Sequence, residues 1–114
     1  MHEVSIALSL LETAEKYCEK EGYKAIESIG VKIGKASGVM SEALLFAFDA
    51  VKIGTIAEKA SLIIDEIPVS GFCISCNNNF SVEETFILCC PKCGDTSFRI
   101  ESGRELDIYE MEVS

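Results

Sequence analysis

Cys73-Ile74-Ser75-Cys76, then thirteen residues, then Cys90-Pro91-Lys92-Cys93-Gly94 is the stretch on which the architecture of this sequence turns. Two Cys-x-x-Cys pairs at this separation set four thiolates around one tetrahedral ion, each pair forming a knuckle that grips the metal between two turns. The residue after each pair favours left-handed backbone, which turns amide N–H groups toward sulfur; Gly94 adopts it freely and Asn77 tolerates it. Saturated sulfur coordination suits structural zinc and leaves no open position for catalysis. Four thiolates on a dication shift the formal charge from −9 to about −11. Cys89 stands one residue too far from Cys93 for the knuckle and reads as a spare thiol, with exchange against Cys90 as the alternative.

Working outward, the segment 70–103 is too small for an adequate apolar core, so metal binding is expected to contribute on the order of 10 kcal/mol to its folding. Phe72, Phe80 and Phe86 are expected to pack around the ion. Pro68 to Gly71 mark the boundary with what precedes. There, Val4, Ala7, Leu8, Leu11, Ala14 and Cys18 recur at three- and four-residue steps, a helix ending near Gly22. Ile29, Val31 and Ile33 alternate with Ser28, Gly30 and Lys32, the period of a strand with one face on a core. A second helix is read with Ser41 as N-cap, a stripe of Leu44, Leu45, Phe48 and Val51, and Gly54 at its left-handed end. Strands follow over Ser61–Ile67 and Leu106–Val113, the latter slipping phase at Ile108-Tyr109 through a bulge. The expected class is α+β: two helices packed on a small mixed sheet, with an inserted zinc-ribbon domain. The domains are 1–69, completed by a return strand over 104–114, and 70–103.

The chain has 114 residues, 48% of them hydrophobic, enough apolar surface to offset ordering. Nineteen acidic side chains against ten basic ones would repel a polyanionic backbone, which argues against nucleic acid as a partner. No run reaches the roughly 20 apolar residues needed to cross a bilayer, and the apolar run near the start is cut by Glu12. Without a secretory pattern at Met1-His2-Glu3, and with paired cysteines, a reducing cytoplasmic setting is expected. Cys18, on the apolar helix face, reads as a small buried hydrophobe.

His2 is the one histidine of the chain. Its position gives it chemical meaning, because a free α-amine, the His2 backbone nitrogen and imidazole Nδ1 close a five-membered and then a six-membered chelate ring on one metal. Glu3 adds a carboxylate or a backbone nitrogen. Planar nitrogen donation of this kind suits Ni(II) or Cu(II). Initiator methionine is normally kept before a large second residue, so Met1 is expected to supply the amine.

Met1-His2-Glu3-x-Ser5, Ile33-Gly34, Leu44-x-Phe46-Ala47-Phe48, Gly54-Thr55, the paired cysteines and Gly103-x-Glu105-Leu106 together resemble the HypA/HybF family of hydrogenase nickel-incorporation proteins. The resemblance spans essentially the whole chain. It implies a nickel metallochaperone with no catalytic chemistry of its own, carrying transferable Ni(II) at Met1, His2 and Glu3 and structural zinc at Cys73, Cys76, Cys90 and Cys93. It further implies a nickel-insertion GTPase and the [NiFe] hydrogenase large-subunit precursor as partners. Histidines found beside the cysteines in some members are absent here. The alternative reading is a rubredoxin-like iron electron-transfer module, since Cys-x-x-Cys with Cys-Pro-x-Cys-Gly also resembles iron knuckles. A zinc-ribbon transcription or translation module ranks below it, because no basic patch accompanies the ribbon.

Overall fold

The computed structural model describes residues 3–114. Eight elements follow one another: α1 (Glu3–Glu21), β1 (Ile26–Gly34), α2 (Ser41–Val51), β2 (Ser61–Ile67), β3 (Val69–Cys73), β4 (Asn78–Val82), β5 (Phe98–Ser102) and β6 (Leu106–Val113). The strands form two three-stranded sheets, ordered β2-β1-β6 and β4-β3-β5. The chain divides into two compact units, one running through Val31 and continuing over Val39–Asp65 and Asp107–Ser114, the other comprising Lys32–Gly38 and Glu66–Leu106. The expected α+β class is thus observed, with a second small sheet in place of a coreless insert.

In the first unit, α1 buries Ile6, Ala7, Leu10, Leu11, Ala14 and Cys18, a line at three- and four-residue steps. Val4 and Leu8, expected in that line, flank it and are exposed. Gly22 ends the helix at φ 85, and the N–H groups of Gly22 and Tyr23 both donate to the Cys18 carbonyl, at 2.8 and 2.9 Å. α2 buries Leu44, Ala47 and Phe48, while Leu45 turns outward. Its N-cap is Met40, which offers no side-chain oxygen to the helix; Ser41, expected in that place, is the first helical residue. Gly54 takes the expected left-handed conformation at φ 80, two residues beyond the C-cap Lys52.

β1 is covered on both faces over much of its length. Ile29 and Val31 are fully buried on one side. On the other, Ser28 donates its hydroxyl to Glu112 Oε1 at 2.8 Å, and a Cβ on Gly30 would come within 2.9 Å of the Tyr109 ring. β6 leaves both Tyr109 and Glu110 exposed between half-buried Ile108 and Met111, so its phase slips one residue later than its alternation suggests.

In the second unit, β3 pairs antiparallel with both β4 and β5. Cys73 faces Asn78 in the β3–β4 register, so the first knuckle is the loop of a hairpin. Cys73, Phe80 and Cys90 form a small core, with Cys76, Val82, Ile87 and Phe98 packed around it. Phe80 and Phe98 meet edge to face, 5.8 Å between centroids. Phe98 takes the place expected of Phe86, which is 65% exposed. Phe72 lies on the opposite face of β3, with the Arg99 guanidinium 4.9 Å from its ring centroid.

Two glycines let backbones meet in this unit. A Cβ on Gly34 would collide with the Gly103 carbonyl, and one on Gly71 with the Arg99 carbonyl, beside a β3–β5 register shift at Ser70/Gly71. Gly34 N–H donates to Glu105 O at 2.8 Å and Ala36 N–H to Gly103 O at 2.7 Å. Glu105 turns its own carboxylate back onto the Gly103 N–H at 2.8 Å. Gly71→Ala is expected to cost the second unit about 1–3 kcal/mol through overpacking against β5. Denaturant titration read on β3–β5 amide resonances checks this, with the α1 and α2 resonances unchanged in midpoint.

Candidate metal centre

The four knuckle cysteines converge. Cys73 closes β3, Cys76 sits in the hairpin loop, and Cys90 and Cys93 lie on a second turn brought back by β5. Their Sγ atoms all lie within 4.8 Å of one another. Cys73 and Cys93 approach to 3.6 Å and Cys76 and Cys90 to 3.9 Å, so each close pair takes one thiol from each knuckle. A tetrahedron with Zn–S of ~2.3 Å places its sulfurs about 3.8 Å apart, so the donor set fits a structural zinc ion.

The two knuckles share one local geometry. Asn77 N–H donates to Cys73 O at 2.9 Å, and Gly94 N–H to Cys90 O at 2.8 Å, each bond spanning four residues. Asn77 has φ 57 and Gly94 φ 81, the left-handed conformations expected of them. Lys92 N–H points at Cys90 Sγ from 3.4 Å. Cys89 is exposed and stands outside the group, whereas Cys90 is buried within it.

Crowding the thiols splits their acidities. Lost hydration works against the Cys90 thiolate, yet the backbone N–H groups of Cys93 and Lys92, with hydrogen bonds from the Cys73 and Cys93 thiols, pull its pKa down to about 7. For Cys93, the Asp95 N–H favours the thiolate, but lost hydration and the thiols of Cys73, Cys76 and Cys90 push it up to about 12. The Cys93 thiol therefore holds its proton more tightly than the Cys90 thiol.

Ser75 and Asp95, which carried no signal in the cysteine spacing, border this centre. Ser75 donates its hydroxyl to Asp95 Oδ2 at 2.6 Å. That bond, with the N–H groups of Ser97 and Thr96, holds the Asp95 carboxyl below the usual carboxylate range. An aspartate just beyond a left-handed glycine is a turn-forming signal that could have marked it.

Of the residues read as nickel donors, Met1 and His2 lie outside the described residues. Glu3 opens α1, and its Oε2 accepts the Met40 N–H at 3.3 Å at the start of α2. Cys18 is fully buried in the α1 stripe, as expected, and burial, with the nearby Glu15 carboxylate, pushes its thiol up. Among the described residues, no helix is long and apolar enough to cross a membrane.

A chain that joins a helical α+β unit to a closed four-thiol unit, with no catalytic constellation among the described residues, has the make-up of a metal-handling protein. Residues 1–113 match the family described as hydrogenase/urease nickel incorporation, metallochaperone, hypA. The hydrogenase maturation factor HypA of Picosynechococcus sp. is 40% identical over 113 residues, covering 99% of each chain. That of Geobacter sulfurreducens is 41% identical over 113 residues with the same coverage. The solution structure of the Ni metallochaperone HypA from Helicobacter pylori is similar with a TM-score of 0.69 at 26% identity, over 99% of this chain and 97% of that one. This chain belongs to the HypA family of nickel metallochaperones. The four-thiol unit thus sits in a nickel-incorporation protein, and the electron-transfer reading loses its support.

Cys73→Ala and Cys93→Ala are each expected to abolish zinc retention, from about one ion per chain in the parent, because three thiolates leave the tetrahedron open. Cys89→Ser is expected to keep the full complement, and Cys90→Ser to lose it. Metal analysis after gel filtration against a chelator measures all four.

Proposed function

We propose that this protein carries Ni(II) at its amino terminus, through the Met1 amine, the His2 backbone nitrogen and His2 Nδ1, with Glu3 beside them, and delivers it to the precursor of a [NiFe] hydrogenase large subunit. A nickel-insertion GTPase and that precursor are its partners, and the setting is the cytoplasm. The protein catalyses no bond chemistry. Residues 1–69 with 104–114 form the nickel-handling part; residues 70–103, through Cys73, Cys76, Cys90 and Cys93, hold the resident zinc.

The observation that carries this reading is that a chain opening Met1-His2-Glu3 matches the nickel-incorporation family over residues 1–113. Glu3 lies in the first turn of α1, where N–H groups have no helical acceptor. The same helix end repels a cation through its dipole. Loss of the His2 amide proton and the charge of the Glu3 carboxylate together offset the two positive charges of Ni(II), which answers that repulsion. A chelate at a chain terminus is also easy to move, as transfer by ligand exchange requires.

His2→Ala is expected to remove specific nickel binding while zinc content and helical signal stay at parental values. Glu3→Gln leaves one charge unbalanced at the helix end, and an effect of about two- to fivefold on affinity is expected. Since binding displaces the amide proton and any proton on the imidazole, it is expected to release protons and to weaken as pH falls. The decisive comparison uses an uncleaved extension of a few residues before Met1, which keeps every side chain but turns the amine into an amide. Unchanged nickel affinity and an unchanged planar-site absorption spectrum in the extended protein would remove the amine from the ligand set.

A further inference from the structure

Residues 95–97 are fastened to both knuckles at once. Toward the first, the Ser75 hydroxyl donates to Asp95 Oδ2 at 2.6 Å, and the Ile74 N–H donates to Ser97 O at 2.8 Å. Toward the second, the Cys90 N–H donates to the Asp95 carbonyl at 2.8 Å. Asp95 Oδ1 meanwhile accepts the N–H groups of Thr96 and Ser97 at 2.6 and 3.1 Å, which orients the side chain. Asp95 thus holds one knuckle through its carboxylate and the other through its backbone.

We infer that Ser75 and Asp95 form a clasp across the metal centre, in which Asp95 is a positioning residue that keeps the two knuckles at ligand spacing and sets how slowly the resident metal leaves. The inference rests on the assignment of zinc to the four cysteines. Each knuckle supplies only two of the four sulfurs, so release begins when the knuckles part. The close thiol pairs, Cys73–Cys93 and Cys76–Cys90, both run between knuckles and are the distances such parting would lengthen. A carboxylate beside a four-thiolate ion of net charge −2 is electrostatically disfavoured, and three donors, one of them from the opposite knuckle, are what hold it there. The Ser75–Asp95 bond is exposed. Water competes for it in the open state, so its effect falls on the opening step more than on overall stability. For a carrier of exchangeable nickel, this separates resident ion from cargo by rate.

The test is zinc release from the full-length, zinc-loaded protein to the chromogenic chelator 4-(2-pyridylazo)resorcinol. Ser75→Ala and Asp95→Ala are each expected to speed release by about five- to tenfold, the range of one net hydrogen bond at an exposed position. The double variant should be no more than about twofold faster than Asp95→Ala, because both changes break one bond. Asp95→Asn is expected to recover most of the parental rate, since its amide oxygen accepts the two N–H groups and its NH2 meets the Ser75 oxygen. Cobalt-substituted variants should keep the parental tetrahedral absorption band, which shows the four ligands unchanged. Parental release rates in both alanine variants would overturn the clasp, as would acceleration by Asp95→Ala with none by Ser75→Ala, which would assign the effect to the Thr96-Ser97 turn. A parent that retains no zinc would instead overturn the cysteine assignment itself. Should Asp95→Ala fail to fold, Ser75→Ala, which removes one exposed hydroxyl, decides the matter alone.

Discussion

Four thiols held within 4.8 Å of one another are the condition around which the second unit is built. Left to themselves they resist full ionisation: one is drawn down to about 7 while another is driven up to about 12. A dication resolves the conflict by replacing protons with a shared charge. The apolar core around the thiols is small, Phe80 fully buried with Phe98, Val82 and Ile87 only partly so, and two of its three buried members are themselves cysteines. Metal–sulfur bonds would therefore do for this unit what hydrophobic burial does for the first. There, α1, α2 and β1 bury Leu10, Leu11, Phe48, Ile29 and Val31.

This difference suits a protein that handles two metals in opposite ways. A closed set of sulfurs satisfies a zinc ion completely and gives incoming ligands no vacant position. The chelate proposed for nickel uses nitrogen donors beside Glu3, whose carboxylate accepts the N–H of Met40, the N-cap of α2. Resident and cargo ions would thus differ in donor softness, thiolate sulfur for one and nitrogen for the other.

The parts of this molecule that were legible in its sequence are those governed by short-range geometry. Metal–sulfur distances dictate cysteine spacing, so Cys73, Cys76, Cys90 and Cys93 declared themselves, and the left-handed positions at Asn77 and Gly94 follow from the same turns. Helix periodicity located α1 and α2, although Val4, Leu8 and Leu45 sit at stripe edges where one hundred degrees of rotation decides burial. The strands β3 and β4 were hidden because Gly71, Asn78, Asn79 and Ser81 have poor strand propensity, which antiparallel pairing overrides. Phe98 could not be preferred over Phe86 without knowing that β5 returns beside β3. Asp95 follows a turn glycine, but its pairing with Ser75, twenty residues away, carried no local signal. The amino-terminal donors belong to a third category, legible through chelate-ring size and family resemblance alone.

The placement of the two cysteines outside the cluster has a practical consequence for bookkeeping by thiol chemistry. Cys18 has no accessible surface in the α1 stripe, whereas Cys89 is exposed one residue before a metal ligand. With the four knuckle sulfurs occupied, an alkylating reagent meets one reactive position in the native chain, and all six after unfolding in the presence of a chelator. The mass added to the protein therefore reads metal occupancy molecule by molecule, and a single dye at Cys89 would report the state of the centre from its doorstep.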